Sequence, residues 1–599
     1  MVNMADETQL DVHGVESDIQ KLQRTMTSAE QKREILKNLD LFVLDNSLRE
    51  TTVGQIFGHT LQNKWEIYNE VKKVGFKDTI VTAFSHMTRI GDTFIQELNQ
   101  NGEDMSTKYG FVEIADSDVD GVPVDDLPIG LQKCKDLNLP NPIIEVDLAY
   151  FAFDYEKWTL DKICKLLDKR IKWTRQNVSQ DSKIYINFRD FADAMVKAPE
   201  RVLGLVRYVS SYRPKLTGIL YEELGNNFPE EMAIYTRSVK NIMDSCGYDG
   251  HLLIHVHHQW GLSDASVLEC LVNGANGIWA GVCEEGAAMG HASSCLTLMN
   301  LIRLGNTKVL KKYNCQELRN AAIAVTKSVT GAPPPPKTVI VGERALDRVF
   351  GFPQFEPENM EGFSLNGFFG DKLTIRITTL ASNKMIRDSL IEHFGEDEQF
   401  TLEIGNQMKE LMLEDLRENR KEEYQSCIGL AMLFDRAGGQ LTGAMADTIE
   451  KAELNSKHIQ NLIAKIRVEW DEWDLRDNDQ IDDKLDFNAF YNGFMAPYFG
   501  CFRCDETRKA LKALDMDNDG WIEWSEFLVY LKWAGNAHPN IETARELLDV
   551  AVKQGLIPAM QDVLIYSFRE LVSKRFKGKL SVLANDGRYF YNPSVVGTS

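Results

Sequence analysis

Two groups of residues in this chain have the types and spacing that chemistry needs. In Ile254-His255-Val256-His257-His258-Gln259-Trp260-Gly261-Leu262 the first two histidines alternate. On an extended strand His255 and His257 then share a face, as two imidazoles binding one ion require. Five of the eleven histidines, His251, His255, His257, His258 and His291, crowd into one stretch of the chain. Far upstream, Asp45-Asn46-Ser47-Leu48-Arg49-Glu50 follows an apolar run with a guanidinium and a carboxylate. A divalent ion held by Glu50, His255, His257 and His291 is the functional reading; core histidines satisfied by backbone groups are the alternative. The second group is the run Asp515-Met516-Asp517-Asn518-Asp519-Gly520-Trp521-Ile522-Glu523-Trp524-Ser525-Glu526. Asp515, Asp517, Asp519, the Trp521 carbonyl, Glu523 and bidentate Glu526 can supply the about six to eight oxygens that Ca²⁺ takes.

That acidic run fills the demanding positions of an EF-hand loop, with Gly520 at the turn that a Cβ would obstruct. Ile522 is placed to pair with a partner loop, and helical patterns flank it at Thr507 to Leu514 and Phe527 to Leu531. Upstream, Trp473 to Phe487 reads as a degenerate partner. Either Ile481 is its pairing residue, or an insertion recruits Asp474, Asp477, Asp479 and Asp486 instead. Both registers lack the glycine, so one strong calcium site is expected.

The elements that must hold these groups show as a repeat. From about Leu41 to Leu304, β-rich runs at Leu41 to Leu44, Thr79 to Phe84, Ile143 to Leu148, Lys183 to Phe188, Leu216 to Tyr221, Leu252 to Val256 and Gly277 to Gly281 alternate with amphipathic helical stretches such as Lys64 to Val74. That is the size and texture of a TIM (β/α)8 barrel. The expected fold is therefore α/β: a polar helical lead-in (1–38), the barrel (39–308), a mixed then helical subdomain (309–455), an all-α EF-hand pair (456–535) and a helical tail (536–599). Pro333 to Pro336 reads as a stiff spacer or a turn out of the barrel. The charged stretch Lys409 to Glu422, with Asp415 in it, reads as a solvated helix face.

Composition sets the outer limits. The 599 residues are 43% hydrophobic and carry a net charge of −22, which argues against nucleic acid and anionic membranes as partners. No long apolar run and no basic-then-apolar start is present, so a cytoplasmic protein is expected. The ten cysteines then read as reduced thiols, and the lone Cys501-Phe502-Arg503-Cys504 as structural.

At this point the pattern resembles a family. Asp45-Asn46-Ser47-Leu48-Arg49-Glu50 is similar to the D-x-x-L-R-[DE] opening of the DRE-TIM metallolyases, which include 3-hydroxy-3-methylglutaryl-CoA lyase, isopropylmalate synthase and homocitrate synthase. His255 to Leu262 resembles their H-x-H-N-D-x-G-L, Tyr221 to Glu231 their D-T-x-G-x-x-x-P-x-E, and Val339 to Ala345 the P-I-V-G-x-x-A of the condensing synthases. The resemblance covers about residues 40–350. It implies that Glu50, His255 and His257 bind a divalent metal (Zn, Mn, Mg, Fe or Co), with His291 where an asparagine ligand is usual. It implies that Arg49 stabilises an enolate oxygen and that Cys283 is a general acid/base; His258 is a further catalytic candidate. A homodimer would follow the habit of much of the family.

The departures shape the expectation. Ile80 stands where the family has an acid that pairs with the arginine, so Arg49 loses its partner unless Glu222 or Glu145 replaces it. Ala345 to Phe352 lacks the histidines of the synthases' A-F-x-H-x-x-G-I-H, which argues against their acyl-CoA condensation. The expected activity is a calcium-regulated, metal-dependent carbon–carbon lyase or aldolase/condensing-type reaction on a small 2-oxo or 3-hydroxy acid through an enolate. The second reading is a calcium-sensing binding protein on a non-catalytic barrel.

Overall fold

The structure, a computed structural model, describes residues 12–53, 58–84, 89–117, 122–148, 158–287, 289–348, 363–371, 374–418, 424–478, 481–495, 508, 511–515, 519–528, 531 and 541–550. The chain forms two compact units. One comprises Met1–Leu346 with Gly362–Lys372, the other Asp347–Glu361 with Leu373–Ser599.

The first unit is an eight-stranded parallel barrel. Its strands are β1 (Phe42–Asp45), β2 (Thr79–Ala83), β3 (Lys108–Glu113), β4 (Asn141–Asp147), β5 (Tyr185–Arg189), β6 (Gly218–Glu223), β7 (His251–Val256) and β8 (Gly277–Ala280). They are hydrogen-bonded in sequence order, and β8 closes on β1 with Leu44 opposite Trp279 and Asp45 opposite Ala280. Seven of the strands fall on the β-rich runs of the sequence. The exception is β3, whose Lys108, Gly110 and Glu113 interrupt the apolar signal.

Side chains alternate along each strand, so a residue and its second neighbour both point inward. Leu44, Ile80, Tyr109, Phe111, Ile143, Tyr185, Leu220, Leu253 and Trp279 pack into one apolar plug inside the barrel. The next inward positions toward the C-terminal ends are Glu113, Glu145, Asn187, Glu222 and His255, which makes that end polar. The opposite strand faces carry Val, Ile and Leu, which pack under the helices in a second, larger core.

The helix Leu61–Val74 shows why this sequence folds as it does. Thr60 accepts a hydrogen bond from the Asn63 amide in a reciprocal capping box, and Gly75 ends the helix at φ 86°. Between them Ile67, Val71 and Val74 recur at helical spacing and are fully buried, each contributing about 1.5–3 kcal/mol of transfer energy. Lys64 on the same helix is also buried, and its ammonium donates to the Leu48 carbonyl at 3.0 Å.

The first unit continues past residue 308, the expected end of the barrel domain. The helix Leu318–Thr330 packs against Leu61–Val74 through a buried face that includes Ala321, Ala322 and Val325. The run Pro333 to Pro336 does not lead away from this unit: the Arg344 amide bonds back to the Pro336 carbonyl at 2.8 Å. It is a turn.

In the second unit β9 (Asp347–Arg348) pairs with β10 (Thr374–Ile375). The helices Asn383–Phe394, Leu402–Arg417 and Cys427–Arg436 share a core of Met385, Ile386, Leu390, Met408, Met412, Leu430 and Phe434. Asp415 is not on a solvated face: it is fully buried and takes both arms of the Arg436 guanidinium at 2.7 and 2.8 Å. The long helix Ala444–Asn478 precedes β11 (Lys484–Asp486), which runs antiparallel to β12 (Trp521–Glu523). Trp470, Leu485, Phe490, Phe494, Ile522 and Phe527 form the core around this ribbon. Of the two registers open for the upstream loop, the one that pairs Ile481 with Ile522 is not what forms. Leu485 stands opposite Ile522, and Ile481 is exposed because it falls before the ribbon. Asp479, Cys501, Cys504 and most of the tail after 536 lie outside the described residues. No helix among the described residues is long and apolar enough to cross a membrane.

Candidate metal centre and barrel mouth

The polar end of the barrel brings together residues that are far apart in sequence. Glu50 follows β1 on the short helix Ser47–Glu50, whereas His255 and His257 lie on and just after β7. One ligand atom from each of the three comes within 4.8 Å of the others, and all three residues are buried.

The histidines are oriented for coordination. Backbone carbonyls can only accept, so the Nδ1–H of His255 donates to Trp279 O at 2.8 Å and that of His257 to Ala287 O at 3.3 Å. Each ring therefore carries its lone pair on Nε2. His291 has the same form, with Nδ1–H donating to Ala292 O at 3.0 Å. The Nε2 atoms of His255 and His291 are buried and have no hydrogen-bond partner. Orphaned acceptors of this kind cost stability unless something fills them. His291 lies beside His255, ring centroids 4.9 Å apart, but outside the three-residue group. Burial holds His255 well below the ordinary imidazole range and His291 down to about 4, so both imidazoles are neutral at pH 7.

Glu50 is held from several sides. Its carboxylate accepts from Arg49 Nη1, from Asn46 Nδ2 at 3.2 Å and from the Ala287 amide at 3.1 Å. Burial pushes its carboxyl up, but Arg49, followed by His255, His291 and His257, together keep it well below the carboxylate range. The loop after β8 closes over this group. His257 and His291 form an antiparallel bridge, and a Cβ on Gly286 would meet Glu50 Cγ and His291 Cδ2, each at 2.8 Å. Two imidazole nitrogens and a carboxylate within 4.8 Å of one another suit a divalent ion such as zinc, manganese, iron or cobalt.

The other expected site residues are distributed differently. Arg49 is bonded to Glu50, and Glu145 and Glu222 act on it only through their charge, so neither replaces the missing acid by a direct ion pair. His258 alternates away from the pair before it: Nδ1 bonds Ser263 Oγ at 2.6 Å, and Nε2 lies 3.8 Å from Asp264. Cys283 faces the layer between barrel and helices, where burial pushes its thiol up to about 12 and Thr326 bonds it. It lines an outer cavity of about 350 Å³ with Thr326, Ile340 and Val341, and none of Glu50, His255, His257 or His291 reaches that cavity.

Sequence reading passed over most of the acidic half of the mouth. Arg189 at the end of β5 donates through Nη1 to Glu145 (2.7 Å) and Glu113 (3.3 Å), and through Nη2 to Asp147 (3.2 Å). Asn187 Nδ2 donates to Glu145 at 2.8 Å. Charged residues at strand ends were the available signal.

In the second unit, Asp515 Oδ1 and Oδ2 accept from the amides of Asp519 and Gly520, each at 3.0 Å. Asp519 accepts from the Trp521 amide at 2.8 Å, and Glu526 from the Glu523 amide at 2.9 Å. Gly520 sits at φ 92°, and Asp515 and Glu526 are buried. Asp517 lies outside the described residues. In the upstream loop Asp474 accepts from the Asp483 amide at 2.8 Å.

No protein-family model matches the chain, and no curated protein matches it. Solved structures do. A hydroxymethylglutaryl-CoA lyase from Pseudomonas aeruginosa is 13% identical, with a TM-score of 0.38, over 49% of this chain and 94% of that one. An HMG-CoA lyase from Brucella melitensis is 12% identical, with a TM-score of 0.36, over 49% and 99%. The carboxyl transferase domain of Rhizobium etli pyruvate carboxylase with 3-bromopyruvate is 10% identical, with a TM-score of 0.31, over 49% of each chain. At such identities and scores the site residues must carry the functional reading.

Proposed function

We propose that this chain is a divalent-metal-dependent carbon–carbon lyase or aldolase-type enzyme acting on a small 2-oxo or 3-hydroxy acid through an enolate. The observation that carries the reading is the set Glu50, His255 and His257, with both imidazole Nε2 atoms freed for coordination and Arg49 beside them. A metal bound there would supply Lewis-acid charge that favours an oxyanion on the substrate. Arg49 holds a fixed positive charge next to the same point and steadies charge that develops on oxygen as a C–C bond breaks or forms. Gly286 and the Ala287 amide lie against Glu50, so the segment after β8 covers this side of the site. Proton transfer falls to a carboxyl of the mouth, because Cys283 and His258 face elsewhere.

Calcium binding belongs to the second unit of the same proposal. The Asp515–Glu526 loop directs amides at Asp515 and Asp519 and keeps Asp515 and Glu526 buried, as an oxygen-ligand loop requires. Turnover by the barrel is then expected to respond to Ca²⁺.

The test is elemental analysis of protein purified without added metal or chelator, on the wild type and on the double variant His255→Ala, His257→Ala. About one transition metal per chain, absent from the double variant, is the expected result. No such metal in either protein sinks the metalloenzyme reading and favours a calcium-binding protein on a non-catalytic barrel. Holoenzyme is then screened against 2-oxo and 3-hydroxy acids with and without Ca²⁺.

A further inference from the structure

The helix Val12–Asn38 is held to the barrel at its C-terminal end. Leu36 is buried, its carbonyl accepts from Asn306 Nδ2 at 2.7 Å, and Lys32 Nζ meets Glu269 at 2.6 Å. Toward the other end the helix is bare. Every described side chain from Ile19 to Ile35 is exposed, including Ile19 at 47%, Leu22 at 60% and Met26 at 42%. A helix of 27 residues spans about 40 Å, and helices in proteins take most of their stability from burying an apolar face. This one has such a face, and no described residue covers it.

The face has the spacing of a coiled coil. From Ile19, the residues Leu22, Met26, Ala29, Arg33 and Leu36 follow at alternating steps of three and four, and Val15 and Val12 continue the series backward. All of these except Arg33 are apolar. The positions that flank the series are polar, among them Glu16, Gln23 and Glu30 on one side and Asp18 and Thr25 on the other. A helix lying on a globular core has a broader stripe that takes in one of those flanks. A seam confined to the two core positions of each heptad is what one helix needs to wind around another.

We propose that this helix pairs with the same helix of a second copy of the chain, antiparallel, in a two-stranded coiled coil. A narrow a/d seam is complementary to itself, since the side chains of one helix fill the gaps between those of the other. Charge sets the direction. In a parallel pair Arg33 would face Arg33 of the second copy, and Lys32 would face Lys37. In the antiparallel pair, with Met26 level with Leu22 of the second copy, Arg33 comes level with Val15 and beside the acids Glu16 and Asp18. The two barrels then sit at opposite ends of the seam, which keeps apart chains that each carry a net charge of −22. The helix leads into β1 at Phe42, where the strands begin, so the seam lies at the far end of the barrel from Glu50, His255 and His257.

The experiment is sedimentation velocity of the full chain at about 1–100 μM, a range that covers micromolar dissociation constants. The wild type is expected to form a dimer. Leu22→Asp puts a charge into the seam from both copies and is expected to weaken the dimer about 100-fold or more, with the near-UV circular dichroism of the chain unchanged. Arg33→Glu is expected to weaken it about ten-fold or more, because it sets like charges against each other, and combining it with Glu16→Arg and Asp18→Arg is expected to restore association. A monomer throughout the range, a dimer unchanged by Leu22→Asp or by Arg33→Glu, or failure of the combined variant to restore association overturns the proposal.

Discussion

Gly286→Ala tests whether the loop after β8 fixes the geometry of the metal ligands. A Cβ at this position would stand 2.8 Å from Glu50 Cγ, 2.8 Å from His291 Cδ2 and 3.0 Å from Glu50 Oε1. Ordinary carbon contacts need about 3.5–4.0 Å, so the loop or Glu50 must give by about 1 Å. Metal–ligand distances tolerate only about 0.2 Å. Glu50 is also anchored by the Ala287 amide at 3.1 Å, one residue from the substitution, so any movement of the loop is passed to the carboxylate. Disturbing such support weakens metal affinity by about 10- to 100-fold, or about 1.4–2.8 kcal/mol, and overpacking costs about 1–3 kcal/mol of stability. The assay is competition against a chromophoric zinc chelator, with chemical denaturation of the metal-free protein alongside. Gly58→Ala is the control, because its nearest neighbour, Thr52 Cγ2, lies 4.0 Å from the added atom. Metal affinity unchanged in folded Gly286→Ala would refute the claim that this loop sets Glu50.

Gly520→Ala places a side chain at φ 92° and is expected to cost about 1–2 kcal/mol, weakening Ca²⁺ binding about ten-fold in a titration followed by tryptophan fluorescence; an unchanged midpoint counts against the loop as the binding site. Cys283→Ala should keep the barrel metal and turnover, since the thiol faces Thr326 in the outer layer; loss of turnover with metal retained would return Cys283 to the chemistry. Burial lowers the Lys64 ammonium to about 8 from its ordinary 10.5. The unfolded chain then binds the extra proton between these two values, so stability must rise with pH across that window, by about 3 kcal/mol at most. Urea unfolding at pH 7.5 and 10 should show this rise in the wild type and its loss in Lys64→Met; a rise of equal size in the variant removes Lys64 as its source.

What the sequence made legible was whatever depends on short-range period. His255 and His257 alternate, and a β-strand turns alternation into a shared face, so the metal pair could be read without a fold. The same rule located seven strands and failed on β3, where glycine and two charged residues break the run although Tyr109, Phe111 and Val112 are buried. With β3 went Glu113. Arg189 was equally hidden, because its partners come from β3 and β4, and no local pattern reports which strands become neighbours. Loop direction was the other gap. Cys283 stands two residues before Glu285 in a glycine-rich stretch, and only the fold shows that this stretch turns its thiol outward while bringing Gly286 against Glu50. In the second unit, Leu485 rather than Ile481 pairs with Ile522 because the helix Ala444–Asn478 runs on to the start of the upstream loop and delays the ribbon.

Arg49 connects the unusual parts of this barrel. A guanidinium inside a barrel needs carboxylate charge nearby, and Ile80 on β2 offers none. Glu50 bonds Arg49 directly, and Glu145 and Glu222 hold its charge through the field of β4 and β6. The balancing charge therefore reaches Arg49 from its chain neighbour Glu50 and from across the barrel, and it keeps the arginine beside the candidate metal ligands. If this is right, Glu222→Gln should loosen the hold of the site on its metal in chelator competition at pH 9, where the Glu222 carboxyl is ionised despite its burial, and less so at pH 7. Equal metal affinity of wild type and variant at pH 9 would remove Glu222 from the support of Arg49.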